Sequence, residues 1–436
     1  MKYFVKTYGC QMNVHESEKL NGMLESLGYV ACDNEKNADI IVFNTCAIRD
    51  GVEQKIFGNI GALKSLKKQK KDLIIAVCGC MSQAEGRAKT IKEKFPFVNI
   101  IFGTHNIHKL KDYILSYRES RKSQIDVWDN EQGIFEDIDI KRDNINSNAW
   151  VNIIYGCNNF CSYCIVPYVR GRERSRSIND IVTEVKDLIS QGFKYITLLG
   201  QNVNSYGNDL KDGTNFSKLL TTLANLDGDF RIKFMSSHPK DFTDEVIDTI
   251  AKYDKIAKVI HLPVQSGSTN ILKAMNRKYT REHYLQVINK IKERIPNVYI
   301  STDIIVGFPG ETEDDFMDTY SLVEQVRFDG VFAFIYSIRS GTVAANMQNQ
   351  IPEPIKNERV NRLLKLTKFI TKENNKNLID KEFNVFVKDK VDNTYLVTTD
   401  SGKNITVIDE NEMKIGEFYK VKITAFEKDK LIAKLV

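Results

Sequence analysis

Eight residues constrain this chain more than any others: Cys157-Asn158-Asn159-Phe160-Cys161-Ser162-Tyr163-Cys164, a C-x3-C-x2-C stretch directly after a strand-like run at 150–155. Three thiolates can hold three irons of a cubane cluster, leaving the fourth iron open to a ligand that is not protein. A zinc ribbon needs a fourth Cys or His at knuckle spacing, and none follows. A cluster on Cys157, Cys161 and Cys164 is therefore expected, with zinc or free thiols as the alternatives. No apolar run approaches the roughly 18 residues of a membrane span, and the first 20 residues lack a signal-peptide core. The chain is thus expected to be cytoplasmic, where its eight cysteines point to metal or catalysis rather than disulfides.

With 436 residues, two or three domains are expected. The first 121 residues alternate short apolar runs at 3–7, 39–43, 73–77 and 98–102 with helical patterns at 16–27, 52–66, 83–94 and 107–117. That alternation predicts a parallel sheet with crossover helices. Three more cysteines lie just past predicted strand ends: Cys10, Cys46 and Cys80. In such sheets the carboxyl ends of the strands share one rim, where ligands bind and residues distant in sequence can meet. The alternative is three buried apolar thiols. Cys78-Gly79-Cys80 is ambiguous; Cys80 is preferred because Cys78 lies closer to the strand core, and Cys32 reads as structural.

Residues 122–148 are polar and strand-poor, as a linker would be. From 149 the alternation resumes, with strands expected at 150–155, 194–199, 230–236, 258–263, 298–306 and 330–336. Six β/α units in series suggest a partial (β/α)6 barrel with its chemistry at the carboxyl ends of the strands. A basic amphipathic helix at 355–370 closes that domain at residue 370. Short alternating strands follow in 371–436, fitting a small β-barrel. Lys plus Arg exceeds Asp plus Glu by only 5, so any nucleic-acid footprint is local rather than global. The six histidines form no H-x-x-H or H-E-x-x-H set, so no zinc hydrolase is suggested.

The three-cysteine stretch resembles the signature of the radical S-adenosylmethionine (SAM) enzymes, and the whole chain resembles their methylthiotransferase family, nearest to its MiaB-type subgroup. The resemblance rests on Thr7-Tyr-Gly-Cys-Gln-Met-Asn13, Asn44-Thr-Cys-Ala-Ile-Arg49, Cys164-Ile-Val-Pro-Tyr168, Arg170-Gly-Arg-Glu-Arg-Ser-Arg176 and Gly200-Gln-Asn-Val-Asn-Ser-Tyr-Gly207. His261-Leu-Pro-Val-Gln-Ser-Gly267 and Asp303-Ile-Ile-Val-Gly-Phe-Pro-Gly-Glu-Thr312 extend it. It implies two [4Fe–4S] clusters, one on Cys157, Cys161 and Cys164 and the other on Cys10, Cys46 and Cys80, with Cys78 a bystander. It further implies SAM as cofactor, tRNA as partner through its anticodon stem-loop, a low-potential donor such as flavodoxin or ferredoxin, and a monomer. The C-terminal module is similar to a TRAM domain, but it has no Arg after residue 362 and 381–436 carries as many acids as bases. The 355–370 helix and the lysines of 64–71 are then the alternative phosphate contacts.

The resemblance also implies the reaction, insertion of a methylthio group at carbon 2 of N6-isopentenyladenosine beside the anticodon. That carbon carries a hydrogen too weakly acidic for a side-chain base, so a cofactor-borne radical is the expected route. Around the cofactor, Tyr163 is placed to pack on adenine, Gly307 to let the backbone approach it, and Gln265 and Ser266 to bond the ribose or methionine part. Arg170, Arg172, Arg174 and Arg176 offer planar donor forks for a carboxylate or phosphates. The pocket for an isopentenyl chain is expected to be apolar and free of fixed charge. Methylthiolation of threonylcarbamoyladenosine, or of a ribosomal-protein aspartate, is the alternative within the family. An iron–sulfur carrier or RNA-binding protein is the alternative outside catalysis.

Overall fold

The computed structural model describes residues 1–47, 50–130, 133–134, 140–142, 148–391, 394–408 and 412–436; the linker at 122–148 and the motif at 44–49 fall partly outside them. The N-terminal region runs β1 (Lys2–Thr7), α1 (Gln11–Ser26), β2 (Val30–Ala31), β3 (Ile40–Thr45), α2 (Asp50–Gln69), β4 (Ile74–Gly79), α3 (Cys80–Gln83), α4 (Arg87–Lys94), β5 (Ile100–Phe102), α5 (Leu110–Ser120) and β6 (Gln124–Asp126). Its six strands are all parallel, in the order β2-β1-β3-β4-β5-β6. The central strands β3 and β4 are buried at every residue, which is why they read as unbroken apolar runs. One face packs on Leu20, Leu24 and Ile114 of α1 and α5. The other packs on Ile56, Ile60 and Ile91 of α2 and α4.

Two edge strands escape the sequence pattern. β2 is two exposed residues and β6 three partly exposed ones, too short and too polar to carry an apolar run. β6 also pairs with β5 inside the stretch read as linker, so the first sheet extends to residue 126.

The central region contains β7 (Asn148–Asn152), β8 (Ile154–Tyr155), α6 (Val166–Arg170), β9 (Arg174–Ser175), α7 (Ile178–Ser190), β10 (Tyr195–Leu199), α8 (Phe216–Ala224), β11 (Arg231–Phe234), α9 (Asp244–Lys252), β12 (Val259–His261), α10 (Thr269–Ala274), α11 (Arg281–Arg294), β13 (Tyr299–Val306), α12 (Glu313–Val326), β14 (Gly330–Ile335) and α13 (Glu353–Lys376). Its parallel strands form two trios, β11-β10-β7 and β12-β13-β14. A parallel bridge between Ile232 and Ile256 joins them. Among the described residues β7 and β14 do not pair, so the barrel is partial and open on one side. One core cluster lies between these strands and their helices. Helix α13 runs six residues past the expected end at 370 because its polar last turns are anchored: Glu373 pairs with Arg327 at 2.7 Å, and Asn374 donates to the Arg327 carbonyl at 3.1 Å.

The C-terminal strands β15 (Glu382–Val391), β16 (Thr394–Thr399), β17 (Asn404–Ile408), β18 (Phe418–Glu427) and β19 (Lys430–Leu435) close into a five-stranded barrel. It seats on the amino ends of the central strands. There the Tyr195 hydroxyl donates to Asp400 at 2.9 Å, and its ring meets Phe386 and Phe418 edge-on. The cysteine loop after β8 lies at the opposite, carboxyl end.

Candidate active site

The loop at 156–164 begins at Gly156, whose φ of +75° suits glycine and whose Cβ, if present, would overlap the Arg172 carbonyl. Cys157 N–H donates to the Gly171 carbonyl at 3.1 Å and Ala344 N–H to the Ser162 carbonyl at 2.8 Å, and further fixings come from α10 and its C-terminal turn. Ser162 N–H donates to the Met275 carbonyl at 3.0 Å, its hydroxyl to Ala274 at 2.8 Å, and the Asn276 amide to the Phe160 carbonyl at 2.9 Å. So held, the three thiols feel one another: burial first, then the charge of Cys161 and of Cys157, push Cys164 up to about 12. Burial likewise lifts Cys157 to about 11.

Across from this loop, Cys10 caps α1 after β1, Cys46 follows β3, and Cys80 opens α3 after β4. Because β1, β3 and β4 are adjacent in the sheet, the rim gathers three cysteines spread from position 10 to position 80 of the sequence. Contact is tight: a Cβ on Gly9 would lie 3.0 Å from the Cys46 sulfur, and one on Gly79 (φ +94°) would overlap the Thr45 carbonyl. Cys80 is pushed up to about 12, by burial first; Cys46 and Cys10 add to that rise while Arg170 opposes it. Cys78 is fully buried in the sheet core with Val42, Ala76 and Ile100.

The two trios face each other. Cys80 packs on Ile165 and Val169, the segment directly after Cys164. Between the barrel rim and the start of α2 lies a cavity of about 510 Å³ lined by Tyr163, Cys164, Gln265, Asp303, Phe334 and Arg339 among others. Gln265 holds a left-handed φ of +70° and is bridged to β13, with its Oε1 buried and lacking a hydrogen-bond partner. A strained residue with an unmet acceptor, aimed at a cavity, suits a ligand site.

Of the other sequence candidates, Tyr163 forms part of the cavity wall and packs with Met275, Phe308 and Tyr336. Ser266 is turned away: its hydroxyl lies 3.3 Å from that of Thr319 and accepts from Ser268 N–H. Gly307 (φ +73°) is met by the Lys356 side chain, and its N–H donates to Glu311 at 2.9 Å. Asp303 and Arg339 also stand in the wall of this cavity.

Among the described residues no group of three or more His, Cys, Asp or Glu is placed to hold a metal ion. A cubane spreads its irons over a larger body than one ion does, so its thiols stand farther apart. Each set offers three thiols, the donors that such a cluster takes.

Residues 151–323 match the radical SAM superfamily, and residues 2–103 match the uncharacterized protein family UPF0004. A tRNA-2-methylthio-N(6)-dimethylallyladenosine synthase of Clostridium botulinum is 52% identical over 97% of this chain and 94% of its own length. One of Alkaliphilus oremlandii is 50% identical, covering 97% and 90%. The chain belongs to the radical SAM methylthiotransferase family. It is therefore an enzyme, with SAM and [4Fe–4S] clusters as its cofactors. Among solved structures, the radical SAM methyltransferase TsrM of Kitasatospora setae aligns with a TM-score of 0.60 at 13% identity, over 79% of this chain and 75% of that one. The radical enzyme OxsB aligns with 0.52 at 15%, over 85% and 56%. These two show the fold.

In this methylthiotransferase the arginine-rich stretch does work the sequence did not suggest. Arg170 is 5% exposed, ion-paired with Glu16, and donates to Asn13 Oδ1 at 2.7 Å and to Cys80 Sγ at 3.2 Å. Arg176 is buried between Glu184 and the Asn152 carbonyl, both at 2.7 Å. Neither is open to a phosphate. Arg174 donates to the Arg170 carbonyl, and Arg172 lies over the Phe160 ring, 4.4 Å from its centroid.

Arg277 is the residue sequence reasoning missed. It donates to the Pro263 carbonyl and the Tyr279 hydroxyl at 2.7 Å each, and to Cys161 Sγ at 3.7 Å. The one available signal was a lone arginine after the α10 pattern. On α13, Arg359 is buried against Glu311 at 2.9 Å, and Arg362 pairs with Glu313 at 2.6 Å. That leaves Lys365 and Lys368 as the exposed cations of its 355–370 stretch.

Proposed function

We propose that this enzyme inserts a methylthio group at carbon 2 of N6-isopentenyladenosine beside the anticodon of tRNA. The observation that carries the reading is the packing of Cys80, from the strand-end trio, on Ile165 and Val169, directly after Cys164 of the loop trio, which lines the cavity. Cys157, Cys161 and Cys164 would hold the cluster that binds SAM, and Cys10, Cys46 and Cys80 the cluster that delivers sulfur. When bound, the clusters and SAM supply the radical that removes the carbon-2 hydrogen and the methylated sulfur that replaces it.

The chain's own residues bind, orient and shield. Tyr163 and Gln265 line the cavity and would pack on the cofactor's adenine and bond its ribose or methionine part. Ile165, Val166, Ile305, Phe334 and Ile335 give the same cavity an apolar wall, suited to a chain without polar atoms. Asp303 and Arg339 suit the polar parts of SAM. The target base must leave the stack to reach this depth, as single-stranded anticodon loops permit. No helix of the described residues is long and apolar enough to cross a membrane; a monomer in the cytoplasm, reduced by a flavodoxin or ferredoxin, completes the reading.

The test is liquid chromatography of nucleosides after incubating the reconstituted enzyme with SAM, reductant and each tRNA. The expected outcome is a methylthio product on isopentenyl-bearing tRNA and weak product on unmodified adenosine, since losing even one methylene from an apolar pocket costs about 10–200-fold. None is expected on the threonylcarbamoyl form, whose carboxylate would be buried at a cost of several kcal/mol. Product on the threonylcarbamoyl form alone would move the chain to the sister subgroup.

A further inference from the structure

Arg170 belongs by sequence to the radical domain and by contact to the other one. It is the last residue of α6, six residues after Cys164, yet its guanidinium reaches across the domain boundary. There it meets Glu16 and Asn13 on α1 and the sulfur of Cys80. Its recipients are fixed in turn: the Asn13 amide donates to the Tyr8 carbonyl at 2.7 Å and the Thr45 carbonyl at 3.0 Å, and Asn44 donates to the Asn13 carbonyl at 2.8 Å. Those bonds tie the ends of β1 and β3, where Cys10 and Cys46 begin, to the same fork. The guanidinium keeps its charge in proteins.

A guanidinium in this position has two effects on a metal centre. Its rigid fork sets the orientation of the ligand it touches, as outer-shell partners do. Its N–H directed at a ligand sulfur draws electron density off a cluster, one of the levers that sets iron–sulfur potentials. Glu16 acts the other way, because its carboxylate offsets part of the same charge. A simple domain tie would have no need to aim Nε–H at a cysteine that the sheet presents on its catalytic rim.

Resting on the reading that Cys10, Cys46 and Cys80 hold a cluster, we propose that Arg170 is a positioning residue for it. Arg170 locks the Cys80 sulfur against the radical domain and raises the reduction potential of that cluster, and Glu16 moderates the rise. The reach of one side chain then couples the geometry of the two metal sites.

The test uses the full chain with Cys157, Cys161 and Cys164 all changed to Ala, reconstituted so that the N-terminal trio alone carries iron. Its midpoint potential is read by a redox titration followed by electron paramagnetic resonance, with the iron count measured beside it. Arg170→Gln is expected to lower the midpoint, and Glu16→Gln, which keeps an acceptor but loses the charge, to raise it. Where Arg170→Gln fails to retain iron, Arg170→Lys takes its place, with a smaller downward shift because the charge stays and the fork is lost. Opposite shifts from the arginine and glutamate variants bear the proposal out. An unchanged midpoint in both, or shifts of the same sign, overturns it. A parent protein that binds no iron would instead overturn the ligand assignment.

Discussion

The two cysteine trios offer the same donor set, built in opposite ways. Cys157, Cys161 and Cys164 come from one loop of eight residues, held by α10 and its C-terminal turn. Cys10, Cys46 and Cys80 come from three neighbouring strand ends and meet only once the sheet has formed. The first site is a local device and the second a property of the topology. Each has a buried arginine near one of its sulfurs, Arg170 at Cys80 and Arg277 at Cys161. They differ in what balances the charge. Arg170 has the carboxylate of Glu16 beside it, whereas Arg277 donates to a carbonyl and to tyrosine hydroxyls.

That contrast is broken or sharpened first at the glycines. An alanine at Gly79 would be strained at positive φ and would overlap Thr45 inside the buried sheet, so a loss above about 3 kcal/mol is expected in urea unfolding. Gly156→Ala should instead strip iron from the loop trio while the unfolding midpoint moves less. Equal global losses would erase the distinction between local and topological sites.

The arginines come next. Arg170→Met leaves Glu16 as a buried unpaired carboxylate and should cost about 3–5 kcal/mol. Arg277→Met leaves neutral acceptors unmet and should cost about 1–3 kcal/mol. The reverse ranking, measured by the same denaturation, would mean that Glu16 finds another partner. Among the cysteines, Cys80→Ala should remove the N-terminal cluster, whereas Cys78→Ala should leave the iron count unchanged. Equal iron loss from the two would place Cys78 on the rim.

The smallest expected effect is on acid stability. His238, pushed down to about 2 by burial, with Arg277 and Lys240 adding to the shift, is held neutral beside the central region. Fully buried His15, also well below its usual value, does the same in the N-terminal one. A lowered histidine contributes stability above pH 6.5 that is lost as pH falls toward its folded value. Melting of His238→Asn should therefore decline less steeply than wild type below pH 6.5; identical slopes would contradict the assigned neutrality.

How far these features could be read in the sequence follows from the same contrast. The loop trio, the parallel alternation and the terminal barrel were legible because each is written in consecutive residues. The apolar runs of β3 and β4 and the spacing of Cys157 to Cys164 are examples. Cys10, Cys46 and Cys80 were legible as strand-end residues, but their meeting depends on β1, β3 and β4 being neighbours, which is a matter of sheet order. The roles of Arg170 and Arg277 were not legible. A charged residue in a polar stretch reads as solvent-facing, and only the packing of α6 against α3, which brings Arg170 to α1, or of the turn after α10 against the loop, buries it. Edge strands such as β6 carry too little apolar pattern to be seen.

One paired measurement bears most directly on the claim that the two trios hold two clusters with separate duties. Two triple variants would be reconstituted, one with Cys157, Cys161 and Cys164 changed to Ala, the other with Cys10, Cys46 and Cys80. Each is then assayed for iron, for 5′-deoxyadenosine and for methylthio product. The account predicts about eight irons in wild type, as two cubanes require, and half of that in each variant. It further predicts no 5′-deoxyadenosine from the first variant, and from the second 5′-deoxyadenosine without methylthio product. Formation of 5′-deoxyadenosine by the first variant, or of methylthio product by the second, would contradict it.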